Sequence, residues 1–148
     1  MKKKAIALLS GGLDSTLAVK MLLDQGVGVV ALNFTSAFCT CTSRARREAG
    51  CAHEAVRVGK ELGVEVMLVP KGKDYLEVVR RPRFGRGSGM NPCIDCRIYM
   101  LRKAAAMMDG LGASFLVTGE VLGQRPMSQH RQAIALIERE TGLKGKIL

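Results

Sequence analysis

Ser10-Gly11-Gly12-Leu13-Asp14-Ser15-Thr16 decides how this chain is read. It follows a short apolar run, Lys4 to Leu9, and leads into Asp14 to Asp24, where Leu17, Met21 and Leu22 recur at helical spacing until Gly26 stops the pattern. A strand passing through glycines into a helix brings unpaired N–H groups and the positive end of a helix dipole to one sheet edge. Gly11 and Gly12 let the backbone approach an anion, and Ser10, Ser15 and Thr16 add hydroxyl donors. Asp14 either caps the helix or holds a Mg²⁺ that bridges phosphates. The competing reading is a tight strand–helix turn with a good N-cap. The segment matches neither GxxxxGK(S/T) nor GxGxxG, which disfavours a Walker-type NTPase and a dinucleotide fold.

Outward from this turn, apolar runs alternate with helical patterns. Val27 to Phe34 is β-branched and apolar, as a buried strand is. Ser43 to Leu62 is helical, with Ala45, Ala49, Ala52, Val56 and Gly59 on one side, and Val64 to Val69 is a third strand closed by Pro70. From Lys71 to Pro92 the pattern weakens. Arg80 to Gly87 is basic and broken by Gly and Pro, a mobile loop by composition. Ile94 to Leu111 is helical, Ser114 to Thr118 is a fourth strand, Gln129 to Thr141 is a helix, and Lys146 to Leu148 reads as the start of a fifth strand. The alternation predicts an α/β fold: an open parallel sheet of about five strands with helices on both faces, ligands binding at the strands' carboxyl ends. The chain stops as a strand begins, so we expect residues 1–148 to be one domain and the N-terminal part of a longer protein.

Composition agrees. The 148 residues are 47% hydrophobic and 24% charged, which suits one globular domain. No apolar run approaches the ~20 residues of a membrane span. Met1 to Leu9 imitates a signal peptide, but its apolar part, Ala5 to Leu9, is short and runs into Ser10-Gly11-Gly12 without a cleavage site. A cytoplasmic protein away from the membrane is expected. Lys and Arg number 23 against 13 Asp and Glu, a net +10, which suggests a polyanionic partner rather than solubility charge alone. Five Cys, an odd number, read as metal, cluster or catalytic residues and not as a disulfide framework.

Two further stretches carry chemistry. In Asn91-Pro92-Cys93-Ile94-Asp95-Cys96-Arg97 the two thiols lie three apart at a helix start, and the dipole, Arg97 and the Arg80 to Arg86 loop favour the reactive thiolate. That spacing suits sulfur chemistry, a Zn site or an iron–sulfur cluster, against two buried structural Cys. Thr118-Gly119-Glu120-Val121-Leu122-Gly123-Gln124 is a second glycine-bearing turn at the carboxyl edge, and Thr118, Gly119 and Gln124 can contact an α-phosphate and a substrate oxygen. His53 and His130 stand alone and receive no role.

The heptad from Ser10 to Thr16 resembles the signature of the PP-loop ATP pyrophosphatase superfamily, the adenine-nucleotide α-hydrolase-like enzymes of HUP-like Rossmannoid fold. The resemblance implies that ATP is split between its α- and β-phosphates. A substrate oxygen is adenylated, pyrophosphate leaves, and a nucleophile displaces AMP. It implies that Ser10, Gly11, Gly12, Asp14, Ser15 and Thr16 cradle the pyrophosphate portion and that Asn33 and Phe34 contact adenine through backbone groups. With the Asn-Pro-x-x-x-Cys stretch and TGEVLGQRPMSQ, the chain resembles the tRNA thiouridine synthases. The third stretch is most like the 4-thiouridine group and the second more like the 2-thiouridylases. This implies uridine O-to-S exchange in tRNA, an ATP-dependent sulfurtransferase with Mg²⁺ as cofactor. Cys96 matches the catalytic Cys, while Cys93 stands where that motif has an Asp.

CxxC also resembles a branch of the superfamily in which three Cys bind a [4Fe–4S] cluster, which makes Cys93 and Cys96 its ligands. No Cys follows Cys96. Cys39, Cys41 and Cys51 either supply the missing ligand, relay a persulfide or are incidental. The partners expected are tRNA and a sulfur donor, be it a desulfurase persulfide, a carrier or sulfide; a homodimer is compatible. Arg80, Arg81, Arg83 and Arg86, with Arg44, Arg46 and Arg47, are the expected phosphate contacts, and Phe84 the base-stacking candidate. The rivals are an AMP-forming PP-loop ligase or amidotransferase on a small molecule, a nucleotide-binding or Fe–S module without catalysis, and an iron–sulfur thiouracil desulfidase.

Overall fold

The computed structural model describes residues 2–36, 51–87, 91–124 and 128–148, the side chain of Cys51 excepted. Four strands, β1 (Lys4–Leu8), β2 (Gly28–Thr35), β3 (Glu65–Pro70) and β4 (Phe115–Val117), pair in parallel in the order β3-β2-β1-β4. The helices are α1 (Leu13–Asp24), α2 (Cys51–Leu62), α3 (Lys73–Arg80), α4 (Cys93–Leu111) and α5 (Arg131–Thr141). Among the described residues no helix is long and apolar enough to cross a membrane.

Strand periodicity sorts β1 onto two cores. Ala5, Ala7 and Leu9 pack with Val19 and Leu22 of α1 and Ala55 and Val58 of α2. Ile6 packs with Ile98, Leu101, Ala104 and Met108 of α4 and Ile137 of α5. Successive side chains of a strand point to opposite faces, so one strand serves both layers. Ile6, Leu101 and Leu116 are almost fully buried, each contributing roughly 1.5–3 kcal/mol. Gly59 brings α2 onto β3: a Cβ there would lie 2.3 Å from Val66 Cγ2 and 2.9 Å from the Val64 carbonyl.

Three expectations change. Among the described residues the sheet has four strands, and Lys146 to Leu148 contributes a single parallel bridge, Leu116 to Ile147, with the Leu148 N–H donating to the Leu116 carbonyl at 2.9 Å. The weak stretch after Lys71 contains α3, whose charged residues mask its one buried aromatic, Tyr75. On α1 the buried side chains are Ser15, Val19 and Leu22, while Leu17 and Met21 are exposed. Apolar residues surround almost the whole of that helix, so spacing alone could not choose its inner face. The N-terminal half of the helix expected from Ser43 lies outside the described residues.

Gly59→Ala should therefore destabilise the fold by about 1–3 kcal/mol through overpacking. In α4 a Cβ at Gly110 meets nothing within 4 Å, so Gly110→Ala should stabilise by about 0.5–1 kcal/mol. Thermal unfolding of both variants against the parent reads the opposite signs.

Candidate active site

The carboxyl ends of β1, β2 and β4 meet around a cavity of about 440 Å³, within the size range of small-molecule sites. Ser10, Gly12, Asp14 and Ser15 wall one side, Asn33 and Phe34 a second, and Gly119, Glu120, Gln124 and Gln129 a third. Arg97 of α4 and Met100 complete it.

The two glycines of the first turn do different work. Gly11 sits at φ +87, and a Cβ on it would fall 2.7 Å from Glu54 Cβ and 2.9 Å from the Ala55 nitrogen. The approach of α2, not an anion, excludes a side chain there. Gly12 caps α1 with φ −75 and ψ 166 and makes no side-chain cap bond. Its conformation suits any residue, and the nearest atom to a built Cβ is Ser10 Oγ at 3.4 Å. Its missing side chain keeps the cavity wall bare. Asp14 thus lies inside the first turn of α1 and is not its N-cap.

Hydroxyls brace the turn from within. The Gly12 N–H donates to Ser10 Oγ at 3.2 Å, Ser10 Oγ lies 3.1 Å from Ser15 Oγ, and Ser15 Oγ donates to the Gly12 carbonyl at 3.2 Å. Thr16 Oγ1 donates to that same carbonyl at 2.8 Å. Gly11, Thr16 and Thr118 do not line the cavity. Thr118 Oγ1 instead accepts a long bond from the Glu120 N–H, 3.5 Å. Gly119 presses against α1: a Cβ there would sit 2.5 Å from the Ser15 nitrogen and 2.6 Å from its Cα. Backbone-to-backbone packing of this kind joins the two glycine turns into one wall.

Asn33 is 4% exposed, and its Nδ2 donates to the Leu9 carbonyl at 2.8 Å. Its Oδ1 has no hydrogen-bond partner among the described residues. A buried acceptor left open costs about 1–3 kcal/mol, and here it belongs to a residue of the cavity wall. Opposite, Arg97 Nε pairs with Glu120 Oε1 at 2.9 Å, both largely buried, and ties α4 to the second glycine turn.

Cys93 and Cys96 are free thiols of intermediate exposure in the first turn of α4. Neither lines the cavity, although Arg97, next in sequence to Cys96, does. Cys96 Sγ accepts two hydrogen bonds of 3.3 Å, from Lys71 Nζ and from the Tyr75 hydroxyl. Burial, and then the bond to Cys96, hold the Tyr75 phenol far above the usual tyrosine range, so it remains a donor. Asp74 accepts from the Tyr99 hydroxyl at 2.8 Å and pairs with Lys103 at 2.8 Å, tying α3 to α4. The bond from Lys103, then that from Tyr99, holds the Asp74 carboxyl below its ordinary value.

Asp95 accepts the N–H groups of Arg83 and Phe84, both at 3.0 Å, and so pins the basic segment to the cysteine helix. The Arg86 guanidinium also donates to the Arg80 carbonyl at 3.0 Å. This segment, read from composition as a mobile loop, is held by a defined set of bonds. Phe84, half-buried, packs onto the α4–α5 core with the Arg83 guanidinium 5.0 Å from its ring centre. Arg83 pairs with Glu140 and Arg80 with Glu77, while Arg80, Arg81, Arg83 and Arg86 all stay exposed.

Cys39, Cys41, Arg44, Arg46 and Arg47 lie outside the described residues, as does the side chain of Cys51. Among the described residues no three His, Cys, Asp or Glu gather as a metal site. Among those residues Cys93 and Cys96 have no third ligand beside them. Lys71 and Tyr75 escaped the sequence reading. The signal for Tyr75 is the amphipathic pattern of KDYLEVVR, submerged in charge; Lys71 precedes that stretch and has none.

Comparison with known proteins gives this geometry a context. The tRNA-specific 2-thiouridylase MnmA of Syntrophotalea carbinolica is 31% identical over 121 residues, 79% of this chain and 34% of that protein. A probable tRNA sulfurtransferase of Methanosarcina mazei is 26% identical over 124 residues, 82% of this chain and 29% of that protein. A 4-thiouridine synthetase solved as an RNA complex with bound ATP superposes with a TM-score of 0.70 at 30% identity, covering 94% of this chain and 34% of that one. The chain spans about a third of the length of the curated relatives it matches. The family model described as thiamine biosynthesis protein (ThiI) matches residues 1–144, and on that match the chain belongs to the ThiI family.

Proposed function

We propose that this chain forms the nucleotide-binding and sulfur-handling unit of an ATP-dependent tRNA sulfurtransferase that makes thiouridine. The observation that carries the reading is the cavity at the sheet's carboxyl edge, floored by the N-terminus of α1 and walled by Arg97 beside Cys96. ATP binding is supported by the N–H groups that open α1, which favour a phosphate. Asp14 lines the cavity and is the carboxylate that would hold Mg²⁺, whose charge would neutralise the phosphates.

In this reading a uridine carbonyl oxygen attacks the α-phosphorus and pyrophosphate leaves. A sulfur nucleophile then attacks the same uridine carbon, and the oxygen departs with AMP. The backbone of the glycine turns orients the phosphates, and Arg97 meets charge that develops at the α-phosphate. Cys96 carries the sulfur; once its outer sulfur is bonded to the uridine carbon, the Cys93 thiolate attacks Cys96 Sγ, the S–S bond breaks, thiouridine leaves, and an external thiol reduces the Cys93–Cys96 disulfide for the next turnover. The exposed arginines from Arg80 to Arg86 contact tRNA phosphates, a contribution that salt weakens.

Two measurements test this. Cys96→Ser should abolish thiouridine formation, read by nucleoside mass spectrometry of tRNA incubated with ATP, Mg²⁺ and a persulfide donor, while ATP binding survives. Persistent thiouridine would remove Cys96 from the chemistry. Gly12→Val should lower stability by about 1 kcal/mol, since valine is a poorer N-cap than glycine, and weaken ATP binding by about tenfold or more, roughly 1.4 kcal/mol. Gly11→Ala should also lower stability, because its φ is positive and α2 blocks the added methyl. Unimpaired ATP binding by Gly12→Val in calorimetry would sink the assignment of the first turn.

A further inference from the structure

Cys96 is held on the side that the nucleotide reading does not use. Its sulfur is gripped by two donors from outside the glycine turns, the Lys71 ammonium and the Tyr75 hydroxyl, each at 3.3 Å. Both are well anchored. The Lys71 N–H donates to the Thr35 carbonyl at 2.7 Å, which fixes its backbone to the end of β2. Tyr75 is 7% exposed, and its ring meets that of Tyr99 with centroids 5.2 Å apart. The Lys71 ammonium also stands 4.4 Å from the centre of the Tyr75 ring, so the two donors support each other. An ammonium offers donors and no acceptor. A sulfur that receives two hydrogen bonds, one of them from a cation, is placed to carry negative charge.

We propose that Lys71 and Tyr75 form a cradle for anionic sulfur on Cys96 and act as positioning residues in sulfur transfer. The inference rests on the sulfurtransferase reading above. The species held is a persulfide. The Cys96 thiolate attacks the outer sulfur of a low-molecular-weight persulfide, R–S–SH. The S–S bond of the donor breaks and R–S⁻ leaves, taking the proton of the more acidic Cys96–S–SH as R–SH, so that the anionic Cys96–S–S⁻ remains in the cradle. No net oxidation or reduction occurs. Because the cradle lies beside the cavity and not in its wall, sulfur is stored next to the adenylation site without occupying it.

The test uses Tyr75→Phe, which keeps the ring and deletes the hydroxyl, and Lys71→Met, which keeps the stem and deletes the charge. Lys71→Arg restores a cationic donor. Each protein is loaded with glutathione persulfide, and the extra sulfur on Cys96 is followed by peptide mass spectrometry. Thiouridine formation and pyrophosphate release with tRNA and ATP are read in parallel. The persulfide on Cys96 should be lost about tenfold faster in Tyr75→Phe and Lys71→Met, as expected when a hydrogen bond to a charged group is removed. Lys71→Arg should recover most of its lifetime, and thiouridine formation should fall more than pyrophosphate release. A merely structural role would lower both activities together and would not be rescued by Lys71→Arg. Persulfide lifetimes equal to the parent in both deletions, or an added sulfur found on Cys93 instead, would overturn the cradle. If the parent loads Cys96 and the variants lose the sulfur faster, but no protein makes thiouridine, the cradle stands and the sulfurtransferase reading fails.

Discussion

Everything at the carboxyl edge depends on the contact between Gly119 and the first turn of α1. The Ser15 nitrogen stands where a Cβ of residue 119 would lie. That contact is possible because β4 pairs directly with β1 on the side opposite β2. Two glycine turns far apart in sequence become adjacent walls of one cavity. Any side chain at 119 would prise them apart, since both partners are backbone and neither can rotate away.

Around this contact the fold divides labour between its two faces. The α1–α2 face is packed on small residues, Ala5, Ala7 and Ala55, which let helices come close to the sheet. The α4–α5 face carries the larger side chains, and it also carries the cysteines at the N-terminus of α4. Arg97 reaches the cavity while Cys96 faces Lys71 and Tyr75. Adjacent residues on a helix point about 100° apart, so one helix turn can serve two neighbouring chemistries. Asp95 adds a third direction by holding the Arg83 and Phe84 amides. The first turn of α4 is thus the junction of cavity, sulfur and basic surface.

The charge of the chain acquires a shape from the same packing. Acidic partners take up part of the basic segment, Glu77 for Arg80 and Glu140 for Arg83. These are exposed pairs of small energetic weight. They orient the arginines more than they neutralise them, and the guanidinium groups stay at the surface.

The sequence by itself determined the alternation of strands and helices, the glycine turn after β1 and the presence of two thiols at a helix start. Each is a local property, expressed within a few residues by periodicity, by glycine or by spacing. The inner face of α1 was not legible, because apolar residues surround that helix and only the neighbouring sheet selects Val19 and Leu22 over Leu17 and Met21. Nor was the reason for Gly11, which answers to α2 more than forty residues away. Lys71 and Tyr75 carried no motif, and they meet Cys96 only because Lys71 is tied to the end of β2 and α3 packs on α4. Strand order, the joining of the two glycine turns and the pair of donors on the cysteine sulfur were decided by tertiary structure alone. They are contacts between segments distant in sequence, and no local pattern encodes which segments will touch.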